Sequence, residues 1–363
     1  MPSRTEWVEG LSPWPEEFGL DRIRALLTEL GDPQRAYPSI HVVGTNGKST
    51  ATRRIAAFLE REGLLTGAYT SPHVAGWSER IQVGGSDADV EAALERVHEP
   101  AERIGATQFE VLTAAALAEF ADVEVDVAVV EAGLGGRLDA TNVLAAPIVV
   151  LTNVGLDHVE VLGDTREQIA REKLAVVSPE ATVVVGEPEW EGLAQANGAG
   201  RVVVAADDVA CAAAEAFVGH VLEGDVDASP PGRFDLSGDE VWAGAHNPSG
   251  LEWLAQRLPG DDYALCVSIL RDKDAEAMLG RLATIGSALV ATTSSNPRSL
   301  AAQDLAERAR TYFRHVETEQ DPVDALARAR ELGPPVLVTG SLYLLHDLAV
   351  REEDVPWGTL ASG

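Results

Sequence analysis

Three kinds of feature are scarce in this chain of 363 residues. No apolar run approaches the roughly 18 residues that a membrane-spanning helix needs. The N-terminal stretch, residues 1–11, is charged and contains Pro2, so it lacks the apolar segment of a signal peptide. The two cysteines, Cys211 and Cys266, lie in apolar surroundings and in no metal-binding or redox spacing. We therefore expect two buried thiols in a cytoplasmic protein that has no membrane partner.

Basic residues are also scarce, because 28 lysines and arginines face 58 acidic residues and the net charge is −30. Such acidity repels the phosphate backbone and argues against a nucleic-acid partner. Only Lys48, Lys173 and Lys273 are lysines, and the other cations are arginines. Arginine thus serves wherever a surface cation suffices. The retained lysines indicate positions that need a compact ammonium group or a nucleophilic amine.

The length predicts two domains, and residues 223–232, rich in acid, glycine and proline, mark the boundary. We expect one domain over residues 1–230 and a second domain over 231–363. Several strand-length runs are apolar on both faces, which is typical of a parallel sheet in an α/β protein. The predicted strands are 39–43, 125–131, 148–153, 181–185, 201–205, 263–269, 288–293 and 335–339. The predicted helices are 49–62, 90–104, 111–121, 165–177, 249–257, 275–283, 300–313 and 323–332.

The segment HVVGTNGKST, residues 41–50, follows a predicted strand and opens a helix, as a phosphate loop does. Gly44 and Gly47 allow the turn that points backbone N–H groups at an anion, and the helix N-terminus adds positive potential. Lys48 would neutralise phosphate charge, and Ser49 or Thr50 would offer a hydroxyl to Mg²⁺. The alternative is a glycine-rich turn with an incidental lysine. We predict that ATP phosphates contact Gly44, Thr45, Asn46, Gly47, Lys48, Ser49 and Thr50.

Possible magnesium ligands follow the ends of several predicted strands. Glu131 ends one strand, Asp157 and His158 follow another, and Ser71 follows a short run at 68–70. Ligands of open α/β sheets bind at this carboxyl edge, and Mg²⁺ prefers hard oxygen ligands. Each residue alone could belong to an ordinary turn, so the prediction depends on their shared edge. Lys173, on the next helix, is either a surface lysine or, if buried near metal, a carbamate able to bridge Mg²⁺.

The motifs GTNGKST, YTSPHV, FEVLTAAAL, VVEAGLGGRLDATN, LTNVGLDHVEVLG and IAREKLAVV stand in an order that resembles folylpolyglutamate synthase/dihydrofolate synthase. This family belongs to the Mur ligase superfamily. In the second half, PGRFD, AGAHNP, LRDKDAEAML and LVTGSLYL are similar to its C-terminal motifs. The resemblance runs from about residue 18 to about residue 345. It implies a P-loop ATPase domain of the Mur ligase type with a mainly parallel sheet, followed by a smaller Rossmann-like α/β domain.

The resemblance also implies an activity, the ATP-dependent addition of L-glutamate to dihydropteroate, to reduced folate (poly)glutamates, or to both. The reaction passes through an acyl phosphate, with ATP held between the domains. One Mg²⁺ is expected near Ser49, Ser71 and Glu131, and a second near Glu131, His158 and a carbamylated Lys173. We expect a monomer whose other partners are small molecules.

In the second half, the resemblance implies that Arg233, His246 and Asn247 approach the nucleotide or the reacting groups. His246 would orient the glutamate amine or take its proton, and Gly340 and Ser341 would help hold the glutamate. The expected catalytic residues are Lys48, Glu131, His158, Lys173 and His246. The chain departs from the family pattern at Ala243, where an aspartate is usual before GAHN. Two alternatives stay open: a Mur-type ligase with a non-folate acceptor, and a degenerate nucleotide-binding protein.

Overall fold

Residues 3–15, 17–352 and 355–357 are described by the computed structural model. The chain divides into two compact units. The first comprises Met1–Pro72, Trp77–Gly155 and Val159–Ser229, and the second His73–Gly76, Leu156–His158 and Pro230–Gly363. Two short segments thus lie with the second unit although the chain around them belongs to the first. In the described ranges, no helix is long and apolar enough to cross a membrane.

The first unit is built on an eight-stranded sheet with the order β4-β3-β2-β5-β1-β6-β7-β8. Its strands are β1 (Ser39–Val43), β2 (Thr66–Tyr69), β3 (Ile81–Val83), β4 (Ser86–Asp87), β5 (Val127–Glu131), β6 (Ile148–Leu151), β7 (Thr182–Val185) and β8 (Arg201–Val204). Its helices are α1 (Arg4–Glu9), α2 (Asp21–Glu29), α3 (Lys48–Arg61), α4 (Val90–Ile104), α5 (Gln108–Asp122), α6 (Val159–Leu162), α7 (Arg166–Leu174), α8 (Glu191–Ala196) and α9 (Val209–Val218). Among the residues that the structure describes, the antiparallel pairs of this sheet are β2 with β3 and β3 with β4.

Strand β1 lies between β5 and β6, and all of its residues are buried. Ile40 and Val42 pack in the apolar cluster that includes α3 and α9. Val43 packs in the cluster on the other face of the sheet, which includes α4 and α5. This two-sided burial explains the continuous apolar runs of the central strands. It also places the chain segment after β1 at the carboxyl edge of the sheet, beside the end of β5.

The second unit contains a six-stranded sheet with the order β13-β12-β11-β14-β10-β9. Its strands are β9 (Asp235–Ser237), β10 (Glu240–Ala243), β11 (Ala264–Val267), β12 (Ala288–Ala291), β13 (His315–Thr318) and β14 (Val336–Thr339). Its helices are α10 (Pro248–Ala255), α11 (Ala275–Leu282), α12 (Ala302–Ala309), α13 (Pro322–Leu332) and α14 (Leu342–Arg351). Helices α10 to α12 pack on one face and α13 and α14 on the other. Among the described strands of this sheet, β9 alone is antiparallel to its neighbour.

The predicted α/β class, with a mainly parallel first sheet and a smaller Rossmann-like second one, is confirmed. The sequence analysis did not predict the strands β3, β4, β9, β10 and β13, nor the helices α1, α6, α8, α9 and α14. Cys266 is buried as expected, but Cys211 on α9 is only partly buried, and both thiols are free. The strand predicted over residues 148–153 ends at Leu151, because the next two residues contact the phosphate loop instead.

Candidate active site

The loop between β1 and α3 depends on two glycines. Gly44 has φ +155°, and a Cβ there would lie 1.8 Å from the Thr152 Oγ1 atom. Gly47 has φ +76° and is the left-handed N-cap of α3. No atom outside its neighbours lies within 4 Å of a Cβ built there. The backbone is therefore open to a ligand at this point, and the N-terminus of a 14-residue helix faces it.

The loop is fixed by hydrogen bonds to the segment that follows β6. The Thr45 N–H donates to the Asn153 carbonyl over 3.0 Å, and the Asn46 N–H donates to Asn153 Oδ1 over 2.9 Å. The Thr152 hydroxyl donates to the Asn46 carbonyl over 2.7 Å, and the Gly155 N–H donates to Thr45 Oγ1. These contacts hold the loop in its turned conformation.

Two lysines contact carbonyl groups of this loop. Lys48 Nζ donates to the Thr45 carbonyl over 3.3 Å. Lys173 on α7 is 3% exposed, and its Nζ donates to the Gly44 carbonyl over 2.6 Å. Lys173 is thus a buried lysine beside the phosphate loop, so the alternative of a surface lysine is excluded. Thr50, in the first turn of α3, is half-buried. The loop gains local positive charge in a strongly acidic chain.

Glu131 is the last residue of β5 and is 1% exposed. Its Oε1 accepts a hydrogen bond from the Ser49 hydroxyl over 3.1 Å, and its Oε2 accepts one from the Ser71 N–H over 3.0 Å. The structure thus brings together three predicted metal ligands beside the first turn of α3. The Ser71 contact to Glu131 is made by the backbone N–H.

The glycine-rich loop after Glu131, residues 132–142, packs against the end of α7. A Cβ on Gly136 would lie 2.5 Å from the Lys173 carbonyl oxygen. The Arg137 N–H donates to the Glu172 carbonyl over 3.1 Å, and the two side chains form an ion pair at 3.0 Å. The close approach requires a residue without a side chain at Gly136. It couples the loop to the helix that carries Lys173.

A buried polar network lies inside this loop, and sequence reasoning did not assign it a role. The Asp139 carboxylate accepts hydrogen bonds from the Leu134 N–H over 2.7 Å and from the Thr141 N–H over 3.0 Å. The Thr141 hydroxyl donates to the same carboxylate and lies 2.8 Å from His41 Nε2. Burial raises the pKa of Asp139 and lowers the pKa of His41 to about 4. The LDATN segment of the glycine-rich motif could have indicated a role for Asp139 and Thr141. No sequence pattern indicated a role for His41.

In the second unit, Asp157 is the centre of a cluster of polar side chains. Lys273 Nζ lies 2.6 Å from Asp157 Oδ1, and the Asn247 amide donates to Asp157 Oδ2 over 3.1 Å. Burial alone would raise the pKa of Asp157, but the charge of Lys273 holds it well below its usual range. Desolvation, reinforced by Lys273, lowers the pKa of both His158 and His246 to about 4. Sequence analysis singled out the three lysines but did not pair Lys273 with Asp157.

His246 and Asn247 have defined hydrogen bonds at the start of α10. His246 Nδ1 lies 2.9 Å from the Gly244 carbonyl, which can only accept, so Nδ1 carries the proton and Nε2 the lone pair. Asn247 is the N-cap of α10 and accepts from the Gly250 N–H over 2.8 Å. Ala243, the departure from the family pattern, is 1% exposed and packs in an apolar cluster.

The remaining predicted residues of this unit lie at strand ends and turns. Gly340 follows β14 with φ +97°, and a Cβ there would lie 2.5 Å from the Ser268 carbonyl oxygen. Ser341 is 1% exposed and caps α14 by accepting from the Tyr343 N–H over 3.1 Å. The ends of β11 and β14 are neighbours, and their following helices pack on opposite faces. Such a switch point is where open α/β sheets bind ligands. Half-buried Arg233 follows the left-handed Gly232.

The predicted site residues therefore form two sets. The first unit contains the phosphate loop with Ser71, Glu131 and Lys173, and the second contains His158 with the C-terminal residues. Within residues 3–15, 17–352 and 355–357, no three His, Cys, Asp or Glu side chains form a metal-binding group. The first set instead offers one buried carboxylate, a hydroxyl and a buried lysine, which suits a cation that keeps water and phosphate ligands.

This phosphate loop on a mainly parallel sheet defines a nucleotide-binding α/β protein, and the Mur ligase middle domain family matches residues 42–210. Dihydrofolate synthase/folylpolyglutamate synthase of Mycobacterium tuberculosis is 32% identical over 86% of this chain and 83% of its own length. The structure of E. coli FolC in complex with DHPP and ADP superposes with a TM-score of 0.86, at 28% identity, over 96% of this chain and 97% of that chain. The structure of the bifunctional folylpolyglutamate synthase/dihydrofolate synthase of Yersinia pestis, complexed with AMPPNP and Mn ion, superposes with a TM-score of 0.82. It is 28% identical in sequence, over 96% of this chain and 97% of that chain.

The chain belongs to the dihydrofolate synthase/folylpolyglutamate synthase family of Mur-type ligases. The resemblance found in its motifs is thereby confirmed.

Proposed function

We propose that the protein is an ATP-dependent ligase that joins L-glutamate to dihydropteroate, to reduced folates, or to both. The observation that carries the proposal is the arrangement at the carboxyl edge of the first sheet. There the glycine-capped start of α3 and the buried carboxylate of Glu131 are joined through Ser49. An N–H-rich turn binds phosphate oxygens, and a carboxylate beside it suits a phosphate-bound cation. Family membership supplies the substrate class.

Divalent metal would be held by Glu131 and Ser49, with Ser71 beside them, and Mg²⁺ is the ion we propose. A bound divalent ion supplies neutralisation of phosphate charge. We further propose a second ion with Glu131 and Lys173 among its ligands. For this role Lys173 would carry a carbamate, formed when its neutral amine attacks CO₂ and releases a proton. Its burial and its place beside the phosphate loop support this assignment.

The protein's part in phosphoryl transfer is positioning and charge neutralisation. Gly44, Gly47 and Lys48 would hold the β- and γ-phosphates while a carboxylate oxygen of the acceptor attacks the γ-phosphorus. The bond from that phosphorus to ADP breaks, and an acyl phosphate forms. The glutamate amine then attacks the acyl carbon, phosphate leaves, and an amide remains.

The second unit would act on the amine. His246 is neutral and carries its proton on Nδ1, so Nε2 is the atom able to take the proton that the attacking amine loses. Arg233 and Asn247 would contact the nucleotide, and the backbone at Gly340 and Ser341 would contact the glutamate. The Ser341 hydroxyl is engaged in capping α14, so we assign its role to the backbone.

ADP release with Mg²⁺-ATP and glutamate tests the proposal, with dihydropteroate and tetrahydrofolate compared as acceptors. We expect release that depends on at least one acceptor and on glutamate, and an amide product by mass spectrometry. Glu131→Gln keeps the shape and removes the charge, so it should lower turnover at least about 100-fold. Its matched control is Glu160→Gln at an acidic position of the short helix α6, which should keep wild-type turnover.

If neither dihydropteroate nor tetrahydrofolate supported ADP release, folate ligation would be contradicted and other acceptors would have to be tested. Near wild-type turnover of Glu131→Gln would contradict the metal assignment. The carbamate has its own test, because ¹³CO₂ should give a carbamate signal in solution NMR. Lys173→Arg should lose that signal.

A further inference from the structure

His41 is a fully buried imidazole in the centre of the first sheet. It is the middle residue of β1, the strand that leads into the phosphate loop, and it pairs with Val130 on one side and Val149 on the other. An imidazole buried among apolar strands is unfavourable unless its polar atoms are partnered. Packing alone therefore does not explain a histidine at position 41.

The hydrogen bonds define the protonation of the ring. The Thr141 hydroxyl has one proton, which it donates to Asp139, so it must accept from His41 Nε2–H. The Nδ1 atom then lacks a proton, and it has no hydrogen-bond partner among the residues that the structure describes. The ring keeps this neutral form because burial disfavours the cation. His41 thus makes one directed bond, and that bond ends in the loop after Glu131.

The loop of residues 132–142 is attached to two other elements away from its chain ends. His41 on β1 contacts Thr141, and the Arg137 N–H donates to the Glu172 carbonyl on α7. Inside the loop, Asp139 accepts from the Leu134 N–H and so fixes the first turn. The loop begins directly after Glu131. It also touches the carbonyl oxygen of Lys173, whose amine contacts the phosphate loop. A shift of the 132–142 loop would therefore move both Glu131 and Lys173.

We propose that His41 is a positioning residue which, through Thr141 and Asp139, holds the 132–142 loop in the conformation that sets Glu131 and Lys173 against the phosphate loop. His41 touches no reacting group. Its loss should therefore lower kcat more than it changes the affinity for nucleotide, which the phosphate loop binds through its own backbone. The kinetic part of this inference rests on the proposed function, whereas the loop conformation does not.

Three variants distinguish the effect of the hydrogen bond between His41 and Thr141 from the effect of side-chain shape. His41→Phe keeps a ring of similar size and removes Nε2, and His41→Gln places an amide N–H at nearly the same reach. Thr141→Val removes the acceptor from the other side. Val149→Ala is the matched control, because Val149 is the cross-strand neighbour of His41 and is buried without a polar role.

We expect His41→Phe and Thr141→Val each to lower kcat about 10- to 100-fold, while the Kd for ADP changes less than about threefold. His41→Gln should recover most of the rate, and the double variant should be no worse than either single variant. Val149→Ala should lower stability without lowering kcat. The proposal is overturned if the folded single variants keep kcat within about twofold of the wild-type value. It is also overturned if the fold-decrease in kcat of the double variant equals the product of the two single fold-decreases, because the two residues would then act independently.

Hydrogen exchange of the 132–142 backbone provides a readout that needs no turnover. His41→Phe should speed exchange at the Leu134 and Thr141 amides at least about tenfold, and Val149→Ala should not do so selectively. Unchanged exchange would overturn the proposal even in an active enzyme. If the wild type turned over neither acceptor, the proposed function would fail, and the exchange result would still decide the role of His41.

Discussion

Replacing Lys273 by Met tests the buried ion pair of the second unit. The Lys273 and Asp157 side chains are 5% and 9% exposed, and Nζ lies 2.6 Å from Oδ1. Removal of one partner from a buried pair usually costs about 3–5 kcal/mol, because the other charge stays buried and unpaired. Asp157 keeps the Asn247 amide as a donor, so we expect a loss of about 3 kcal/mol.

The assay is urea unfolding of purified Lys273→Met, Asp157→Leu and the double variant, followed by circular dichroism. The double variant has no unpaired charge, so it should lose at least about 2 kcal/mol less than the sum of the single losses. Arg298→Met is the matched control, since its pair with Asp272 lies 3.3 Å apart with side chains 38% and 26% exposed. It should cost less than about 1 kcal/mol. A similarly small loss for Lys273→Met, with additive single effects, would refute the reasoning.

Three further predictions concern pH, the phosphate loop and salt. The folded-state pKa of His41 is lowered from 6.5 to about 4, so between those values only the unfolded chain binds this proton. As pH falls from 6.5 to 4, the free energy of unfolding of the wild type should therefore decrease by about 3 kcal/mol more than that of His41→Gln, and above pH 6.5 the two should not diverge. Equal urea midpoints of the two proteins at every pH would contradict this. Gly44→Ala should abolish ADP binding in calorimetry because its Cβ would overlap Thr152, whereas Gly192→Ala, with no atom within 4 Å, should bind normally. With a net charge of −30, Tm should rise between about 0.1 and 2 M KCl as salt screens self-repulsion, and a falling Tm would refute this.

The sequence predicted most of the first sheet because its central strands are buried on both faces. The predicted strand 39–43 coincides with β1, and the predicted helix 90–104 coincides with α4. The edge strands β4 and β9 were missed for the converse reason. β4 has two residues, both exposed, and β9 has two exposed residues out of three, so neither has an apolar pattern to detect.

The site was predictable where chemistry depends on local sequence, and less so where it depends on distant contacts. Gly44, Gly47 and Lys48 stand together in one motif, and their backbone geometry follows from it. The contact of Thr141 with His41 joins residues 100 positions apart, and a lone histidine in an apolar strand has no local signal. The Asp157–Lys273 pair spans 116 positions and was missed for the same reason.

The retained lysines show what a charge count can establish about a site. Lys48 and Lys173 each direct an ammonium group at a carbonyl of the phosphate loop, and Lys273 directs one at a buried carboxylate. An arginine would bring a planar group with five N–H donors, each of which would need an acceptor in the same buried space. The Lys173 side chain is 3% exposed, and its Nζ meets the Gly44 carbonyl at 2.6 Å. A compact, single-point cation suits each of these contacts, which explains why a chain that otherwise uses arginine keeps lysine at positions 48, 173 and 273.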